Sequence, residues 1–74
     1  MKQILIPDRY SEINPKKINK IINWINARLS KDCINISYED YITRIIFQKN
    51  KEYEEFYKLF MDKELLKWNN EKRN

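Results

Sequence analysis

The sequence predicts a small α+β domain whose elements run strand, helix, strand, strand, helix. Three observations carry that expectation. From Pro15 to about Ser30, isoleucines recur at spacings of three and four, the period of a helix with one apolar face. The run CINISYEDYITRIIF, residues 33–47, alternates about an acidic pair as a hairpin does. After it, Tyr53, Phe56, Tyr57 and Phe60 again mark one face of a helix.

The first element is KQILIPD, a strand that is apolar over Ile4–Ile6 and stops at Pro7, which has no N–H for a ladder. A polar connection, DRYSEI, follows. Asn14 then starts a helix: it is a good N-cap, Pro15 suits the first helical position, and Ile13 is placed to staple against Ile18. Ile18, Ile21, Ile22, Ile25 and Leu29 form its expected buried face.

With Glu39 and Asp40 at the hairpin tip, Tyr38 faces Tyr41, Ile36 faces Thr43 and Ile34 faces Ile45, with Phe47 continuing that side. Cys33, Asn35, Ser37, Ile42, Arg44 and Ile46 fall on the other side. Glu-Asp does not suit a two-residue turn with positive φ, which points to a wider turn in the same register.

A second helix is expected after Asn50, with Glu52, Glu54 and Glu55 near its positive end. Its apolar pattern loses phase after Met61, where Asp62 is suited to cap a separate short helix and Met61 to staple against Leu66. From about Glu71 the chain has nothing to bury and is expected to fray. If the first strand lies beside the third, the product is a three-stranded sheet with antiparallel and parallel pairing and both helices on one face. That arrangement resembles a ferredoxin-like unit lacking its fourth strand. It leaves Ile42 and Ile46, with Arg44 between them, on a bare sheet face.

Length and composition limit what such a domain does. The 74 residues make one domain, and a chain of this size buries only about 60% of its unfolded surface. Isoleucine, lysine and asparagine account for 12, 11 and 9 positions, and their A/T-rich codons point to an AT-rich genome. Glycine is absent, which excludes phosphate-cradling glycine loops and nucleophile elbows. Histidine is absent too, and with it the usual general base and the commonest metal ligand.

The single cysteine, Cys33, allows no internal disulfide and fits a reducing compartment. Beside Asp32 it makes a poor nucleophile, because a neighbouring carboxylate raises a thiol's pKa. Glu39-Asp40 and the Glu52, Glu54, Glu55 group read as a turn tip and a helix start rather than acid–base or metal sites. No cofactor, metal or catalytic activity is expected. The short apolar run before Pro7 is too brief for a signal peptide, and no run reaches membrane-spanning length, so a cytoplasmic protein is expected.

Two surfaces stand out as candidate contacts. Residues 1–31 carry seven Lys and Arg against Asp8 and Glu12, a balance of +5, and the remainder comes to −1. On the first helix Lys17, Lys20, Trp24, Arg28 and Lys31 fall on a stripe about 80° wide. Four cations framing a tryptophan suit phosphates with a base stacked on the ring, or an acidic protein partner. The plainer reading is that lysines solvate the helix while Trp24 tucks into the edge of the core. The second surface is the sheet face of Ile42, Arg44 and Ile46. It carries no aromatic, unlike the base-stacking face of the RNA-recognition fold, and so favours a protein contact, including a homodimer. The competing expectation is that Leu65, Leu66 and Trp68 fold over that face and cover it.

The run ITRIIFQKNKEYEEFYKLF, together with the ILIPD start, resembles small accessory proteins of tailed phages over about residues 3–60. The resemblance implies an anti-defence or host-takeover factor that inhibits or redirects a host protein by occupying its surface. The alternative expectation is a small nucleic-acid-binding accessory protein that uses the Trp24 helix face.

Overall fold

The computed structural model describes residues 2–72, with side chains through residue 70. Three strands, β1 (Lys2–Pro7), β2 (Ile34–Glu39) and β3 (Ile42–Phe47), and four helices, α1 (Tyr10–Ile13), α2 (Pro15–Leu29), α3 (Asn50–Phe60) and α4 (Lys63–Lys72), follow in the order β1-α1-α2-β2-β3-α3-α4. The sheet order is β1-β3-β2, and both pairings are antiparallel. The first strand therefore does lie beside the third, but no pair is parallel. β1 and β2 run the same way on either side of β3 and never touch as a ladder.

Local chemistry accounts for most boundaries. Asn14 Oδ1 accepts from the Lys17 N–H at 3.2 Å and Pro15 opens α2, as the cap signals anticipate. Ile13, by contrast, is 55% exposed and is not a buried staple. The break after Phe60 also occurs: Met61 is extended, Asp62 Oδ1 accepts from the Leu65 N–H at 2.9 Å, and α4 begins at Lys63. The tail expected to fray from Glu71 is helical through Lys72, and its remainder lies outside the described residues. The polar connection DRYSEI contains α1, which buries Tyr10 almost completely.

The hairpin register differs from the expected one by two residues. Ile34 pairs with Phe47, Ile36 with Ile45 and Tyr38 with Thr43, so the tip is Asp40-Tyr41 rather than Glu39-Asp40. Tyr41 takes positive φ, 57°, a conformation glycine would otherwise supply. The shift aligns six residues on six and sets Phe47 between Ile34 and Lys2, where it is buried. A slip of two keeps every side chain on its expected face. Cys33, just before β2, is the exception: it is buried in the core, not on the outer face.

One apolar cluster draws on every element. Ile4, Ile6, Ile34, Ile45 and Phe47 line the inner sheet face, and Tyr10, Ile21, Trp24, Ile25, Phe56, Phe60 and Leu65 close over it. The buried face of α2 is rotated from the expected one, since Trp24 is in and Ile22 and Leu29 are exposed.

Candidate functional site

The basic stripe on α2 does not present an open tryptophan. Trp24 is 8% exposed, with its ring 5.4 Å from Phe56, 6.1 Å from Phe60 and 6.4 Å from Phe47. Its Nε1 donates to Glu55 Oε1 at 2.9 Å. Arg28 lies 4.0 Å over the indole and pairs with Glu52 at 3.2 Å and Glu55 at 2.5 Å. The carboxylates expected only to favour the start of α3 thus neutralise the arginine expected to bind a partner. Such a partly exposed pair contributes about 0.2–1 kcal/mol, and the stacking and the indole hydrogen bond add to it. The network clamps α2 to α3.

Lys17 is engaged in the same way, with its Nζ 3.0 Å from Asp62 Oδ2. That oxygen also accepts from the Tyr10 hydroxyl, while Oδ1 caps α4. Burial opposes ionisation of Asp62, but the Leu65 N–H, the Tyr10 hydroxyl and the Lys17 ammonium outweigh it and hold the carboxyl below its ordinary range. Burial, reinforced by the Asp62 charge, pushes the Tyr10 phenol well above its usual pKa. Of the stripe, Lys20 and Lys31 remain exposed. Base stacking on Trp24 would require the ring to leave the core.

The sheet's outer face is where the structure brings predicted contact residues together. Register places Gln3, Leu5 and Pro7 of β1, Ile42, Arg44 and Ile46 of β3, and Asn35, Ser37 and Glu39 of β2 on it. Leu5, Ile42 and Ile46 are half-buried and surround Arg44. The guanidinium is held in place from both neighbouring strands: Nε and Nη2 donate to the two Glu39 carboxylate oxygens, the latter at 3.1 Å, and Nη1 donates to Gln3 Oε1. The pairing lowers the Glu39 pKa and raises that of Arg44. An arginine fixed by a two-point carboxylate grip and ringed by aliphatics is a pre-organised contact centre.

The described C-terminal segment reaches only the β1 side of this face: Trp68 lines a cleft with Ile42 and the buried Pro7, and Leu66 and Asn69 line another with Gln3, Leu5 and Arg44. Leu65 is buried in the core instead, and α4 runs beside β1. Asn69 Oδ1 accepts from the Leu5 N–H at 2.8 Å and its Nδ2 donates to the Leu5 C=O at 3.0 Å. One amide side chain thereby supplies both groups that a fourth strand would offer at that point. Trp68 packs under Arg9, 5.5 Å from its ring centroid, at the Pro7 end of β1. Sequence reading missed Asn69 because the amide's role depends on where α4 docks, 64 positions from its partner.

No group of three or more His, Cys, Asp or Glu side chains able to hold a metal occurs among the described residues. No described helix is long and apolar enough to cross a membrane. Comparison of the chain with protein-family models, curated proteins and solved structures finds no match.

Proposed function

We propose that this chain is a non-enzymatic binding protein that inhibits or redirects a host defence protein by occupying its surface, in the manner of tailed-phage accessory factors. The outer sheet face is the contact, with Ile42, Arg44 and Ile46 at its centre and Leu5 at its side. One observation carries this reading: the arginine on the outer sheet face is pre-positioned among half-buried aliphatic side chains, whereas Trp24, Lys17 and Arg28 are used inside the fold. The phage context rests on the resemblance of residues 3–60, and the site of action is then the host cytoplasm. The element order and the β1-β3-β2 sheet further support a ferredoxin-like plan in which α4, through Asn69, stands in for the missing fourth strand.

The test is affinity capture from lysate of a low-GC bacterial host, with and without nuclease, by the wild type and by Ile46→Glu and Arg44→Ala, with folding checked by circular dichroism. A stoichiometric protein that survives nuclease and is lost with either folded variant is the expected result. Capture that vanishes on nuclease treatment, or that both variants retain, refutes the sheet face as the contact. A nucleic-acid reading retains Lys20 and Lys31 as exposed cations of its stripe and predicts binding that falls steeply with salt.

A further inference from the structure

The two edges of the sheet are treated differently. Along β1, the outward amide and carbonyl of Leu5 are taken by Asn69. Along β2 no described strand, helix or side chain does the equivalent, and β2 is the last strand in the order. The ladder phase identifies which groups it offers. Gln48 N–H donates to Cys33 C=O at 3.0 Å, so odd-numbered residues of β2 bond to β3, and the N–H and C=O groups of Ile34, Ile36 and Tyr38 point away from the sheet.

Edges of soluble proteins are normally blunted by lysine, proline, bulges or a covering element. Residues 34–38, INISY, contain no charge and no proline, in a chain of which 35% is charged. The one charged residue of β2, Glu39, lies at its end and is gripped by Arg44. Beside the edge, a cleft of about 450 Å³ opens between α2 and the inner sheet face. Its walls include Ile22, Leu29 and Tyr38, all exposed large apolar side chains; Tyr38 is 80% exposed.

We infer that β2 pairs antiparallel with β2 of a second copy of this chain, joining two three-stranded sheets into one of six. The edge is complementary to itself. With Ile36 on the two-fold axis, Ile36 lies opposite Ile36 of the mate, Ile34 opposite Tyr38, and Asn35 opposite Ser37. Apolar residues then meet apolar ones on the inner face, polar residues meet polar ones on the outer face, and no charged side chain enters the paired stretch. All three outward residues of each strand find partners in this register. The neighbouring symmetric register, centred on Ser37, sets Asp40 against Ile34 and forfeits that match. The two-fold also brings the α2 faces bearing Ile22 and Leu29 toward each other over the joined sheet, adding apolar area to the six or so backbone hydrogen bonds of an interface centred on a five-residue ladder. The outer face with Arg44 is left free, so the pairing is independent of the function proposed above.

The experiment is sedimentation equilibrium of the full chain across a concentration series, with register tested by cysteine cross-linking. The wild type is expected at twice 9.2 kDa and Tyr38→Lys at the monomer mass, while Ile46→Glu remains dimeric. Tyr38 is exposed enough that a lysine there leaves the monomer folded. Under copper–phenanthroline oxidation, Ile36→Cys is expected to form a covalent dimer, and Ser37→Cys and the wild type with its buried Cys33 are not. A wild type that stays monomeric throughout overturns the inference. So does a dimer that survives Tyr38→Lys, a dimer dispersed by Ile46→Glu, or cross-linking through Ser37→Cys in place of Ile36→Cys.

Discussion

Replacing Asn69 by alanine tests the idea that one side chain closes the β1 edge. The substitution removes the acceptor 2.8 Å from the Leu5 N–H and the donor 3.0 Å from the Leu5 C=O. A typical hydrogen bond contributes about 0.5–1.5 kcal/mol net, and a buried group left without a partner costs about 1–3 kcal/mol. Leu5 is half-buried, so water reaches part of the vacated site, and a total loss of about 2 kcal/mol is expected. For 74 residues at about 0.05–0.15 kcal/mol each, total stability is about 4–11 kcal/mol, so the loss is a large fraction of it. Urea denaturation followed by tryptophan fluorescence and circular dichroism should show a lower midpoint at unchanged slope. Asn70→Ala, one residue on and exposed, is the control, because it shares the gain in helix propensity without touching Leu5. A loss below about 0.5 kcal/mol relative to that control would refute the edge-capping role.

Further predictions concern the clamps between helices. Trp24→Ala should cost about 3–5 kcal/mol, the range for emptying an aromatic core site and a large fraction of the total; a small effect in thermal melts would mean that the ring is not packed as described. Asp62 has a lowered folded pKa, so its stabilising share is present above its ordinary value of 3.8 and lost as pH falls through the folded value. Asp62→Asn should therefore flatten the stability profile below about pH 4, and an unchanged acid limb would contradict the Tyr10–Asp62–Lys17 arrangement. Tyr10 has a raised folded pKa, so its share is present below about pH 10 and lost as pH climbs above it. Tyr10→Phe should remove that alkaline loss, which a denaturation series from pH 8 to 12 reads directly.

The features legible in the sequence are those set by neighbours along the chain. Asn14 and Pro15 fix the start of α2, Asp62 the start of α4, and the alternation of residues 34–47 the two faces of the hairpin, because caps and strand parity depend only on local spacing. Parity even survived the slip of two residues that moved the tip to Asp40-Tyr41. What the tertiary structure alone decided is which surface remains available. Whether Trp24 and Arg28 face solvent or α3 turns on the rotation of α2 and on Glu52 and Glu55, more than twenty positions away. Whether a sheet edge is closed turns on Asn69 reaching Leu5 across 64 positions. An amphipathic pattern specifies that a helix face is buried, but its partner is chosen by packing among distant elements, and in a domain this small that choice determines which side chains are left for another molecule.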